Sequence, residues 1–401
     1  MPLKIVGKSR QRGNWKRGCR KQTYCRRLEE DPNDFFSVSM TKRRMGQMAV
    51  ITEREFFTTS KGGKAVLYTL RNRAGSEVEI TNFGGAIVSI RVPDRNGAFA
   101  DVALGFDSGA GYEGHAYFLG AMIGRCCNRI KAGRFTLNGK AYQLACNDNG
   151  KNHLHGGVHG LESKLWDAEV SRQDGEDVLT LRCVCEDGEE GYPGRLEISV
   201  AVTFSEDHAL KLQYQAVSDA DTVCSLTNHS YFNLSGHASG DILGHELKLY
   251  ASRFTEADAE SIPTGQVLPV AGTPMDFREF HRIGERIGQD YPALIYGNGY
   301  DHNWVLDHPD GTLALSAELY DPESGRLLEC YTDSPCMQVY TGNFIDGSSC
   351  GKEGCWYQQR AGIALETQYA PDAVNHPEWD SPILRKGDRY AHATIYRFSV
   401  K

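Results

Sequence analysis

The chain reads as an all-β protein, a large antiparallel β-sandwich or barrel. Three observations predict this. Short apolar or alternating runs recur along most of its length, turn residues separate them, and helical periodicity is rare. The 43 glycines among 401 residues exceed the usual share, as many turns require. No run of 18 or more apolar residues occurs, so no membrane-spanning helix is expected. A chain of this length can bury a sizeable core, and large β-architectures often remain one domain.

Residues 1–48 stand apart. Residues 1–44 carry thirteen Lys and Arg against four Asp and Glu, a net of +9, and show neither helical nor strand periodicity. Three readings stay open: a disordered tail, a targeting or nucleic-acid-binding arm, or an over-extended gene start with the initiator at Met40, Met45 or Met48. Glu29, Glu30, Asp31 and Asp34 weigh against a transit peptide, which would be free of acids. The expected division is therefore an extension over 1–48 and a single domain over 49–401.

From residue 50 the strands follow in order. Ala65–Leu70 and Glu77–Ile80 alternate or run apolar. Asn96-Gly97 and Asn138-Gly139 sit between such runs, and Asn-Gly readily supplies the positive φ angles of a tight hairpin. Arg134–Leu137 and Ala141–Leu144 flank the second turn. Leu179–Cys185, Leu196–Phe204 and Leu210–Val217 have period two, and Leu313–Tyr320, Arg326–Thr332 and Met337–Thr341 add three more strands. The best helical segment is Phe277–Ile287, short and interrupted by glycine.

Charge and cysteine usage exclude several functions. The whole chain is −8, so residues 45–401 carry −17, and a body that acidic is a poor binder of nucleic acid. Twelve cysteines without a secretory apolar region point to free thiols in a reducing, cytoplasmic compartment. No pair of CxxC knuckles is present, so no structural zinc is expected. No glycine-rich dinucleotide fingerprint follows a strand, so no nicotinamide cofactor is expected either.

Four separated segments carry acid–base residues at strand ends: Asn152–Gly157, Asn228–Leu234, Gly299–Asn303 and Ala364–Gln368. His153 and His155 would share a face of a strand. With His159 they raise the question of a metal site. A cupin-like pattern wants a carboxylate five positions after His155, but that position is Gly160, and Glu162 comes two residues late. No metal is therefore expected. Gly156-Gly157 would let backbone approach a ligand closely. His229 titrates near neutrality and can hold and release a proton. Glu366 and Ala364 would face away from Ile363 and Leu365, leaving a partly desolvated carboxylate. Asp301 can accept from hydroxyls and Arg129 can donate to them without titrating, and Asn128, Gln338 and Asn343 could add contacts. Trp304, Trp356 and Tyr340 could form a stacking platform, though core packing is the commoner fate of such rings. Arg125 and Asp276 read as structural.

These segments resemble those of the galactose mutarotases, the aldose 1-epimerase family. The resemblance extends through Thr81–Ala86, Ile123–Ile130, Pro263–Gly265, Gly272–Arg278, Gln338–Asn343 and Pro371–Asn375, roughly residues 50–401. It implies a large twisted antiparallel β-sandwich with a sugar in an open cleft. It also implies Glu366 as the base at the anomeric hydroxyl, His229 as the acid at the ring oxygen and His155 as a catalytic residue touching the sugar. Arg129, Asn128, Asp301 and Gln338 become the substrate-binding set. The expected partner is a small aldose, taken without cofactor or metal by a monomer or weak dimer.

Three rivals differ in what they need. A non-catalytic sugar binder on this fold should have lost an acid–base residue, and none is lost. A sugar-phosphate epimerase wants more basic residues than Arg129. A glycoside hydrolase wants paired carboxylates and leaves the histidines without a role. Because the resemblance begins after the extension, a chain beginning at Met45 should keep its turnover and melting temperature; marked loss of either would make the segment part of the domain.

Overall fold

The computed structural model describes residues 50–401 apart from positions 115, 174, 309 and 310. The extension read at 1–48 lies outside the described residues. Three large sheets carry the architecture, and every ladder between their strands is antiparallel. Strands Val50–Thr58, Lys64–Arg71, Glu77–Thr81, Ile87–Pro93 and Phe99–Asp101 form a five-stranded meander.

A nine-stranded sheet holds, in spatial order, Asp167–Gln173, Glu176–Cys185, Leu196–Phe204, Ala209–Ser218, Arg389–Val400, Arg326–Thr332, Ala314–Tyr320, Glu246–Leu249 and His281–Arg282. The C-terminal strand Arg389–Val400 lies at its centre, so the last residues of the chain join its two halves. A six-stranded sheet runs Tyr231–Phe232, Ile363–Gln368, Cys336–Tyr340, Asp301–Val305, Arg253–Ala257 and Pro263–Pro269.

Period-two burial explains the layers. Leu196, Ile198, Val200, Val202 and Phe204 are buried in alternation with less buried neighbours, and Leu210, Leu212, Tyr214 and Ala216 repeat the pattern on the next strand. One continuous core joins these to Leu70, Val78 and Ile80 of the meander. It also takes in Trp304, Met337, Val339, Ile363 and Leu365 of the six-stranded sheet. The large sheet thus packs against both smaller ones, as a sandwich requires. Ile363–Gln368 is buried on both faces, because one face meets this core and the other meets the polar cluster described below.

The expected strands are present with edges shifted by a residue or a few. The Asn138-Gly139 hairpin has the expected geometry, with φ of 52° and 77°. The Asn96-Gly97 loop differs. Only Gly97 has a positive φ, and Asp94 Oδ1 organises a longer turn by accepting from the amides of Asn96 and Ala98, both at 2.8 Å. The helical reading of Phe277–Ile287 is corrected: Ile283–Arg286 alone is helical, and His281–Arg282 is a strand at the sheet edge. The reason is packing, since Phe277 is drawn into the core and its carbonyl accepts from Leu249. Two further short helices, Gly109–Glu113 and Pro292–Gly297, carried no periodic signal.

Leu365 is fully buried, and its carbonyl accepts from the Tyr396 hydroxyl at 3.0 Å. Leu365→Ala should cost about 2–5 kcal/mol of stability through lost transfer energy and a residual cavity. Urea unfolding measures this; a loss below about 1 kcal/mol would show that the two sheets do not depend on this layer.

Candidate active site

The six-stranded sheet builds the floor of the site by register. Asn303 pairs with Gln338 and Gln338 with Glu366, while Asp301 pairs with Tyr340 and Tyr340 with Ala364. Opposed residues and those two apart share a face. Asp301, Asn303, Gln338, Tyr340, Ala364 and Glu366 therefore lie together, with the core residues Trp304, Met337, Val339, Ile363 and Leu365 on the reverse. The expected facing of Glu366 away from Ile363 and Leu365 holds.

His229 is set by its backbone. Its N–H donates to the Ala121 carbonyl at 2.9 Å, and its carbonyl accepts from Gly120 at 3.0 Å. Asn228 secures the same contact by donating to the Gly120 carbonyl at 2.7 Å. The His229 ring then stands with Nε2 3.6 Å from Glu366 Oε1, both side chains almost fully buried.

His155 arrives by a sharper route. The strand pair Arg129–Ile130 and His153–Leu154 ends there, because His155 has φ of 52°. Its amide donates to the Asn128 carbonyl at 3.0 Å, and the Asn128 amide donates back to His155 Nδ1 at 3.2 Å. The rings of His155 and His229 meet edge-on, with centroids 5.2 Å apart.

The shared-face reading of His153 and His155 is corrected, since the left-handed residue turns the chain between them. His153 points into the protein, with Nδ1 2.8 Å from the Ala145 carbonyl and Nε2 2.7 Å from the Tyr192 hydroxyl. The carbonyl requires hydrogen on Nδ1 of His153, whereas the Asn128 amide requires a bare Nδ1 on His155 and so puts its proton on Nε2. The two neighbours hold opposite tautomers. His159 is exposed and stands apart from the cluster. Gly156 is tight for a different reason than a ligand: a Cβ there would lie 1.8 Å from the Gly124 carbonyl oxygen.

Arg129 donates through Nε to Asp148 Oδ2 at 2.8 Å. Burial opposes its charge, but Asp301 and Asp148 outweigh burial and hold its pKa up. Gln338 Nε2 donates to Asp301 Oδ1 at 2.7 Å, and Gln338 Oε1 is left buried without a partner. Asn128 Oδ1 accepts from the Arg129 amide at 2.9 Å, so Asn128 braces both Arg129 and His155. Asn343 does not join the cluster. It donates to the carbonyls of Gly297 and Tyr300 and accepts from Thr341, which occupies its side chain.

Trp304 is a core residue, its indole donating to the Met275 carbonyl. Tyr340 does reach the site, 6.4 Å from the His229 ring. Arg125 is structural, donating to the carbonyls of Pro193, Gly194 and Glu186.

Four residues at or behind the site carried no separate signal in the sequence. Asp148 lies in a turn-rich stretch. Asp372, from the Pro371–Asn375 motif, accepts from the Lys131 amide, and its own amide donates to the Arg129 carbonyl. Phe118 and Tyr231 pack on the His229 ring with centroids at 6.0 and 4.9 Å.

Burial dominates the electrostatics. It pushes Glu366 well above the ordinary carboxylate range, with Asp301 adding to this and Arg129 opposing it. Burial pulls His229 down to about 4, although Asp301 acts the other way. His155 is held well below its usual value by burial and by His229 and Arg129. Glu366 Oε2 and His229 Nδ1 are buried without hydrogen-bond partners. Such atoms are costly to leave unpaired.

Atoms of His155, His229 and Glu366 lie within 4.8 Å of one another, close enough to surround a cation. The donor set does not suit one. His155 uses its Nδ1 lone pair on the Asn128 amide, so its other nitrogen bears hydrogen and cannot ligate.

Fold and cluster together define a β-sandwich protein with a buried histidine–carboxylate cluster on the polar face of one sheet. The family profile described as aldose 1-epimerase matches residues 66–397. The galactose mutarotase of Bos taurus is 42% identical over 323 residues, covering 80% of this chain and 91% of that protein. The galactose mutarotase of Homo sapiens is 40% identical over 353 residues, covering 88% of this chain and all of that protein. The crystal structure of galactose 1-epimerase from Lactobacillus acidophilus superposes with a TM-score of 0.77 at 25% identity, covering 88% of this chain and 99% of that one. The chain belongs to the aldose 1-epimerase family and is an epimerase.

Exhaustive chelation should leave the rate of anomer exchange unchanged, as polarimetry would show. Activity lost to chelator and restored by zinc or manganese would overturn the proton-transfer reading of the cluster.

Proposed function

We propose that the chain is a cofactor-independent mutarotase that interconverts the α and β anomers of galactose and glucose. The observation that carries this is the isolated His229–Glu366 pair, 3.6 Å apart, whose remaining polar atoms are buried and unpartnered. Two groups of opposite function, each with an unused atom, can serve the two oxygens of one anomeric carbon.

In this reading Glu366 takes the proton from the O1 hydroxyl as the C1–O1 double bond forms. The C1–O5 bond breaks, and O5 takes the proton of His229. Rotation about C1–C2 presents the other face of the aldehyde. Reclosure returns the proton from Glu366 to O1 and from O5 to His229, and nothing is consumed. His155 offers its Nε2–H to a sugar oxygen. Asp301 and the free Gln338 Oε1 accept from the remote hydroxyls, and Arg129 donates, each without changing protonation.

The cyclic sugar needs carboxylate and imidazolium, whereas opening leaves carboxylic acid and neutral imidazole. Burial disfavours both charged forms. The site therefore pulls the proton in the direction that opens the ring, which is the uphill step for the free sugar. Groups driven apart in this way mark an acid and a base.

The same proposal extends to the setting. Residues 49–401 act as one catalytic domain. Ten described cysteines are unpaired, which fits a reducing, cytoplasmic compartment. No helix among the described residues is long and apolar enough to cross a membrane.

Glu366→Gln and His229→Asn should each lower kcat about 10²–10⁴-fold, the usual contribution of acid–base assistance. Asp301→Asn and Arg129→Ala should act mainly by raising KM. The wild-type profile of kcat/KM should be bell-shaped, because the pair works while it holds one proton. Its acid limb should fall near the value of about 4 to which burial holds His229. Its alkaline limb should lie well above the ordinary carboxylate range, since Glu366 is raised. Polarimetry on fresh α-galactose and α-glucose measures all of this. Near-native kcat in a folded Glu366→Gln variant would show that another group is the base.

A further inference from the structure

The segment that precedes His229's backbone partners has a backbone its sequence does not favour. Tyr117 and Phe118 are consecutive, neither is glycine, and both lie in the left-handed region, with φ of 58° and 57°. Such conformations persist only where surroundings hold them, and they gather at functional sites. Here the surroundings are visible at both ends. The Tyr117 hydroxyl donates to Asp346 Oδ1, lies 3.0 Å from Ser348 Oγ and accepts from the Asp346 amide at 3.3 Å. Two and three residues after Phe118, Gly120 and Ala121 hold the carbonyl and the N–H of His229.

Between these anchors the Phe118 ring rests on both histidines. It meets His155 edge-on at 4.9 Å and stacks on His229 at 6.0 Å, with 30° between the planes. Among the described residues no other aromatic side chain meets both imidazoles.

We propose that Tyr117 and Phe118 form a tethered strap, with Phe118 a positioning residue that fixes the His155–His229 arrangement and keeps water off the His229 ring. The proposal rests on the acid–base reading of that pair and extends it to a residue with no ionisable group. The strap answers a need of the site. Nδ1 of His229 has no hydrogen-bond partner and Nε2 lies 3.6 Å from Glu366 Oε1, so ring packing carries much of the orientation. Phe118 and Tyr231 both pack on the ring, with centroid distances of 6.0 and 4.9 Å. The ionisable groups facing His229 are Glu366, His155, Asp301, Tyr231 and Tyr340. None of them is altered by replacing Phe118, so a change in titration would report hydration and geometry.

The test uses Phe118→Ala and, because an alanine could disturb the fold, Tyr117→Phe, which keeps the ring and removes only the tether. Phe118→Ala should lower kcat about tenfold or more with a smaller change in KM. Its acid limb should move upward by at least about half a unit, toward the ordinary histidine value of about 6.5. Tyr117→Phe should shift kcat and the limb the same way by less. The carbon and nitrogen shifts of the His229 ring, followed by NMR through pH, should move in parallel and need no substrate. Both variants retaining wild-type kcat, pH profile and ring shifts would overturn the strap. Should the wild type itself fail to speed mutarotation, or keep its kcat as Glu366→Gln, the parent reading fails instead.

Discussion

Desolvation of the Glu366–His229 pair is the constraint on which the rest of the molecule depends. Glu366 and His229 sit almost out of contact with water, on the inner side of a sheet whose other face is packed core. A fall in the His229 pKa from 6.5 to about 4 corresponds to roughly 3 kcal/mol against the charged ring. The fold bears this cost only at acid pH: it begins below about 6.5, where the unfolded histidine would charge, and is complete below about 4. A site so placed must be held by a surrounding structure that is stable for other reasons, and the three-sheet core supplies that stability.

The sandwich solves a second problem with the same device. A β-strand gives its two faces to different solvents, and in Ile363–Gln368 both solvents are protein. Ile363 and Leu365 join the apolar core; Ala364 and Glu366 look toward the site. Neighbouring strands bring Gln338 and then Asn303 into line with Glu366 through backbone ladders alone. The geometry of the floor is therefore as rigid as the sheet, whereas the histidines arrive on connecting segments and need separate restraint. His229 is fixed at its backbone by Gly120 and Ala121, and His155 is fixed at its ring by the Asn128 amide.

Two histidines only two residues apart show how finely backbone shape sorts chemistry. His153 is tied between a carbonyl and a tyrosine hydroxyl, so its protons are committed to structure. His155, one turn of left-handed backbone later, keeps an N–H to offer. The Asn128 amide, rather than its side chain, makes that difference, and it does so while the Asn128 side chain steadies the amide of Arg129.

Period-two alternation and Asn-Gly turns determined the all-β class from sequence alone, because both act within a few residues. The same local pattern placed Glu366 opposite to Ile363 and Leu365. The residue types of Glu366, His229, His155, Asp301, Arg129 and Gln338, together with a family resemblance, named the principal members of the cluster before any contact was known. Tertiary structure alone decided the remainder. Phe277–Ile287 lost most of its helix to core packing, and Asn343 was consumed by carbonyls that lie more than 40 positions away in sequence. The turn that parts His153 from His155, the support of Arg129 by Asp148 and Asp372, and the Phe118 ring over both histidines are not encoded by any short periodicity. They arise where segments distant in the chain meet, and the burial that sets the protonation of Glu366 and His229 exists only once those segments have closed around them.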